Sequence, residues 1–190
     1  MAISLADVQA HMDGLSWKYK SNPKDGSKTD GHLVTGFPTE TYQDKDGDNY
    51  LSIAIAVDEN GERIRFMTPA LYNCKHPQYR KAFFEVAMSK ALSLKLCHFD
   101  YDHSDGEIRM INEIPIEDGS FTAKQLERII RAMVRLADNN HEDLYAAITT
   151  GALPMLDYKT DIAHEVSQMS TDDQLELLVE IKKRRRGAQS

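Results

Sequence analysis

The sequence predicts an α+β fold: an antiparallel sheet of about five strands flanked by helices, with one more helix added at the C-terminus. Three observations carry this. Tyr50 to Val57 and Arg63 to Thr68 are strand-like runs joined by Asp58-Glu59-Asn60-Gly61, and Asn-Gly supplies the positive φ angles that a tight hairpin needs. A second hairpin is written in Leu96 to Tyr101 and Glu107 to Ile116, with Ser104-Asp105-Gly106 as its turn. Long apolar-periodic segments stand before and after that hairpin, so strands pair with their neighbours and helices pack beside them. That is not the alternating pattern of a parallel nucleotide-binding sheet.

In chain order, Ile3 to Leu15 reads as a short amphipathic helix, with Ser4 and Asp7 at capping spacing and Leu5, Val8 and Met12 on one face. Gly14 is expected to end it. Ser21 to Gly31, with Pro23, Gly26 and Gly31, reads as a loop. His32 to Phe37 is a strand stopped by Pro38. In the next strand Leu51, Ile53, Ile55 and Val57 share one face, while Ser52, Ala54 and Ala56 share the other. Those small side chains would let something pack closely against them, and the strand is expected to be central.

His76-Pro77 opens a helix running to about Lys95, because Pro at a first helical position loses no needed hydrogen bond. Its apolar stripe is Tyr79, Phe83, Val86, Ala87, Ala91 and Leu94, widened by Phe84, Met88 and Leu92. Pro115 ends the last strand or marks an edge. Thr122 and Gln125 then fit a capping box, opening the longest helix. That helix runs to about Ile148, with Leu126, Ile129, Ile130, Met133, Leu136, Ala137 and Leu144 inward, before Gly151 and Pro154 end it. Leu153 to Met169 is a poorly patterned linker. A last helix begins at Thr171, with Gln174 at the same Thr-x-x-Gln spacing.

Composition bounds the function. The formal charge is −7 over 190 residues, which argues against a general nucleic-acid binder. Two cysteines, Cys74 and Cys97, are too few for a secreted disulfide framework, so a reducing, cytoplasmic setting is expected. No apolar run is long enough to span a membrane, and the first residues lack the pattern of a signal peptide. No internal repeat or low-complexity tract is evident.

Four clusters invite a chemical reading, and each lacks a part. Asp44, Asp46, Gly47 and Asp48 suggest a calcium loop, but the glycine and glutamate positions of such a loop hold Asn49 and Ile55. Cys74, His76, Cys97 and His98 supply four soft donors, yet at spacing unlike zinc fingers, and Cys97 and His98 face opposite sides of a strand. His98, Asp100 and Asp102 share an outer face, with His103 at the turn, but no activated nucleophile or phosphate cradle accompanies them. His164-Glu165 lacks the second histidine of a zinc-protease helix. No enzyme activity, metal or cofactor is expected.

The C-terminal helix holds the candidate binding residues. Leu175, Leu178 and Val179 form an apolar stripe, widened by Leu177 and Ile181, on a helix too short to be stable alone in water. Docking on its own domain or a dimer mate is the expected outcome, a separate partner the alternative. Lys182, Lys183, Arg184, Arg185 and Arg186 follow consecutively. Cations suit a helix C-terminus, as Asp172 and Asp173 suit its start. Five in a row could also engage nucleic acid, acidic lipid or an acidic protein.

Several stretches of the second half resemble the YbjN family, which shares the type III secretion chaperone-like fold. They are Tyr79-Arg80-Lys81-Ala82-Phe83-Phe84, then Asp105-Gly106-Glu107-Ile108-Arg109-Met110, then Glu113-Ile114-Pro115-Ile116-Glu117-Asp118-Gly119, and Thr122-Ala123-Lys124-Gln125-Leu126-Glu127-Arg128-Ile129-Ile130. The resemblance covers residues 1–151, leaving 152–190 as linker and added helix. It implies a non-enzymatic, often homodimeric domain that binds peptides or partner proteins, with no catalytic residue to carry over. The expected function is therefore a protein- or peptide-binding adaptor, with a regulator touching nucleic acid through the basic tail as the rival.

Overall fold

The structure is a computed structural model that describes residues 2–22, 31–91, 94, 96–153, 166 and 169–187. The chain divides into two units, Met1–Pro154 and Met155–Ser190.

The first unit opens with α1 (Leu5–Gly14), capped reciprocally: Ser4 Oγ accepts from Asp7 N–H at 3.2 Å and Asp7 accepts from Ser4 N–H at 2.8 Å. The turn after it is a Schellman motif, with Ser16 N–H on Asp13 O and Trp17 N–H on Met12 O. Ser16, at φ 57°, takes the left-handed position expected for a glycine. Gly14 is simply the last helical residue.

Among the described residues, six strands follow in one antiparallel sheet: β1 (Tyr19–Asn22), β2 (His32–Pro38), β3 (Tyr50–Asp58), β4 (Arg63–Asn73), β5 (His98–Tyr101) and β6 (Glu107–Pro115). Their spatial order is β1-β2-β3-β4-β6-β5. The α+β class is as predicted, and β3 is interior. The sheet of about five strands that the sequence predicts has six, with β1 added at one edge. Tyr19 to Asn22 pairs with His32 to Thr35, so Ser21 and Asn22 are strand where the sequence suggested loop; Pro23 and Gly26 lie outside the described residues.

β4 also runs beyond Thr68, through a bulge, to Asn73. Ala70 sits there at φ 48°, and its N–H donates to Glu107 Oε1 at 2.8 Å, which replaces the ladder bond that the bulge removes. Asn60 and Gly61, at φ 57° and 94°, make the hairpin turn that Asn-Gly predicts.

Helix α2 (Arg80–Ala91) follows a 3-10 turn at Pro77–Tyr79. It buries Ala82, Phe83, Val86 and Ala87. Phe84 and Met88, expected to widen that stripe, are 43% and 70% exposed, a correction. The buried stripe is narrower than the one predicted, and Phe83 within it also meets the Tyr101 ring. Leu92 and Lys95 lie outside the described residues.

Helix α3 (Ala123–Thr150) starts at the Thr122–Gln125 capping box and stops at Gly151, φ 75°, whose N–H donates to Ala147 O. A Cβ on Gly151 would come within 2.8 Å of the Tyr79 ring, so space and backbone both demand glycine there. Leu126, Ile129, Ile130, Met133 and Ala137 pack with Leu33, Ile53, Ile55, Ile64 and Phe66 in one core. Leu136 is only partly buried against it. Midway along α3, Asp138 Oδ1 accepts the N–H groups of Glu40, Thr41 and Tyr42 at 3.1, 3.0 and 2.9 Å.

In the second unit, α4 (Thr171–Gly187) begins where predicted but with a different cap. Ser170 Oγ accepts from Asp173 N–H and donates to Asp173 Oδ2 at 2.7 Å. Gln174 instead donates to Val166 O and Met169 O. Among the described residues, no helix is long and apolar enough to cross a membrane.

Candidate functional site

The alternation of β3 decides which side of the sheet is filled. Leu51, Ile53, Ile55 and Val57 point to the helices and are at most 2% exposed. The residues between them define a second face, built across four strands by the register. Val34, Ala54, Met67 and Ile111 lie in one row, and His32, Ala56, Arg65 and Glu113 in the next. Ala56 and Ile111 are buried yet stand apart from the core cluster. His32, Val34, Ala54, Ala56, Arg65, Met67 and Pro69 line a shallow depression of about 300 Å³.

The rim of this face is charged but already paired. Asp58 meets Arg65 at 3.3 Å and Arg63 at 3.7 Å, and Arg63 meets Glu59 at 3.2 Å and Glu113 at 3.6 Å. At the opposite end the Tyr50 ring lies over Gly36, where a Cβ would fall 2.2 Å from the ring. The ring thus covers backbone that a glycine leaves bare. The result is an apolar surface with a paired, charged rim and no deep hole in it.

The other side holds a polar–aromatic cluster between β4 and α3. Tyr72 Oη and His141 Nδ1 share a hydrogen bond at 3.0 Å, and the Tyr42 hydroxyl donates to Leu71 O at 3.1 Å. Tyr145, half exposed, stacks on His141 with ring centroids 5.3 Å apart. Burial pushes the Tyr42 phenol up to about 12, raises Tyr72 further, and lowers His141. Asp138 and Glu142 partly oppose the shift at His141. These hydroxyls are held neutral and satisfied, which suits a packed interior.

The residues singled out in the sequence take the following places. Asp44 Oδ1 accepts from the N–H groups of Asp46 and Asp48, so that carboxylate shapes a turn. Cys97 is buried while His98 is 58% exposed, and burial raises both thiols, Cys97 to about 11. His98 and Asp100 stand 3.5 Å apart on the exposed edge strand β5. Asp100 lines a shallow depression with Tyr101, Asp102, His103 and Arg109, and His98 does not. His164 and Glu165 lie outside the described residues.

In the second unit, Leu175, Leu178 and Val179 are 56%, 52% and 53% exposed. Lys182, Lys183, Arg184, Arg185 and Arg186 belong to the last turns of α4 by backbone, and their side chains lie outside the described residues.

Sequence reading missed a groove on the first unit. Trp17, Phe37, Pro38, Ile130, Arg131, Val134 and Arg135 enclose about 330 Å³, with Trp17 edge-on to Phe37 at 4.9 Å. The readable part of this signal was Lys124, Arg128, Arg131 and Arg135, whose 4-3-4 spacing puts four cations on one helix face.

No family model matches the chain, and no curated protein matches it. Among solved structures, the chain is similar to the crystal structure of YbjN from E. coli, a candidate transcription regulator, at 15% identity and a TM-score of 0.46 over 75% of this chain and 95% of that one.

Proposed function

We propose that the chain is a non-enzymatic, protein-binding adaptor that works as a homodimer, with the open sheet face as the contact between copies. The observation that carries this reading is the one-sidedness of the sheet within the first unit: Val34, Ala54, Ala56 and Met67 form an apolar strip outside the core that α1, α2 and α3 help to build. Small residues on β3 let a second sheet approach to the usual spacing of about 10 Å. The ion pairs around Asp58 and Arg63 leave little unmatched charge on the rim, so two copies of this face would meet without repulsion. Raised thiols, raised tyrosines and a solvated His98–Asp100 pair support the non-enzymatic side of the proposal.

Sedimentation of the full chain at micromolar concentration tests it. A mass of two chains is expected, falling to one in Met67→Glu with the far-ultraviolet spectrum unchanged. A single-chain mass for the native protein, or a dimer indifferent to charge at Ala54 and Met67, overturns the proposed interface.

A further inference from the structure

The groove at Trp17 lies where α1's Schellman turn, the end of β2 and the first half of α3 meet. Its floor is apolar: Ile130 is 1% exposed, and Trp17, Phe37 and Val134 are half-buried. Its wall is cationic, since Arg131 and Arg135 both line it. They belong to the exposed stripe Lys124, Arg128, Arg131 and Arg135, which runs about three turns along α3. Arg131 pairs with Glu127 at 2.8 Å, and Asp138, three residues beyond Arg135, is taken up by the amides of Glu40, Thr41 and Tyr42. The stripe is a concentration of positive charge on a chain whose net charge is −7.

We propose that this groove takes an acidic amphipathic helix of a partner protein, apolar anchors against Trp17, Phe37 and Val134 and carboxylates along the arginine stripe. The proposal deepens the adaptor reading by naming the partner's chemistry, and it rests on that reading. An apolar floor with cations on one side matches a helix whose own apolar and acidic faces adjoin. Anchors would supply affinity, and the stripe would select sign and register. Nucleic acid would use the stripe but leave the apolar floor empty, and the acidic remainder of the protein would repel its phosphates.

Trp17 is the chain's single tryptophan, so the groove carries its own reporter. The probe is a synthetic helical peptide of about 15 residues, long enough to be partly helical alone, with leucine on one face and glutamate on the other. Added to the full-length protein, it should shift Trp17 emission saturably, and the same peptide with lysine for glutamate should not. The double variant Arg131→Glu/Arg135→Glu should lose the acidic peptide by about tenfold or more and gain the lysine peptide. That exchange also shows the variant is folded.

Equal response to both peptides, or none to either, overturns the proposal. So does preferential binding of a duplex oligonucleotide that the double variant abolishes. Binding seen only after Leu175→Asp/Leu178→Asp would give the groove to the chain's own last helix, and likewise overturns it. A monomeric native protein that still binds the acidic peptide would fail the homodimer alone.

Discussion

β3 shows two regions of the molecule side by side, because one strand serves both faces of the sheet. Its odd-numbered residues from Leu51 to Val57 are large, apolar and sealed under α1 and α3. Ser52, Ala54 and Ala56 are small and point to the opposite face of the sheet. A shift of one residue separates a side chain that holds the fold from one free to serve a contact. The covered face is specified by volume, the open face by the lack of it.

The largest effect that would break this comparison belongs to the covered face. Phe66, with no exposed surface, packs against Phe121 at 6.1 Å, and Phe66→Ala should cost about 3–5 kcal/mol in urea denaturation. A cost below about 1 kcal/mol would mean that the helices do not seal this face as described.

Next comes the Tyr72–His141 pair. His141→Ala leaves the Tyr72 hydroxyl buried without its partner and should cost about 1–3 kcal/mol. The pair also gives a sign for pH. Burial lowers the folded-state value of His141, so the unfolded chain takes up a proton first as pH falls below the ordinary histidine range. Titration of His141 thus leaves stability unchanged at neutral pH and above, and lowers it on acidification until the lowered folded-state value is passed. A pH titration of stability should lose this acid-side decline in His141→Ala.

A smaller effect, about 1 kcal/mol, is expected from Thr122→Ala, which removes the side chain accepting Gln125 N–H and frays the start of α3 without emptying the core. Smallest of all should be Met67→Glu on the open face, within about 0.5 kcal/mol of the native stability while the sedimentation mass halves. If Met67→Glu unfolds the protein as Phe66→Ala does, the two faces are not different in kind.

How much of this was legible in the sequence follows from which forces are local. The β3–β4 hairpin was readable because alternation and Asn-Gly turn chemistry agree within one short, continuous stretch of chain. The Ser4 and Thr122 caps were readable because each bond closes over three residues. β1 was not, since Tyr19 to Asn22 has no buried alternation and is held through the backbone of β2 and by Thr35 donating to Lys18 O.

The cap of α4 was misplaced by one residue because Ser170-x-x-Asp173 and Thr171-x-x-Gln174 are overlapping patterns of the same type. Geometry chooses between them. The groove at Trp17 joins residues from three distant parts of the chain, so only its arginine stripe left a trace in the sequence. The C-terminal residues Leu175 to Arg186 were the first candidates for binding, but the surfaces that now carry specific proposals lie in the first unit.

Asp138 has a consequence for the order in which the molecule opens. A single carboxylate oxygen gathers three amide protons from a segment nearly a hundred residues earlier in the chain. Those three amides should therefore exchange with solvent as a set, at a rate governed by the middle of α3 and not by their own exposed loop. Asp138→Ala, which removes the accepting oxygen, would uncouple them, speeding exchange at Glu40, Thr41 and Tyr42 together while the strands on either side keep their protection. In exchange kinetics, a surface loop would thus report the breathing of the longest helix.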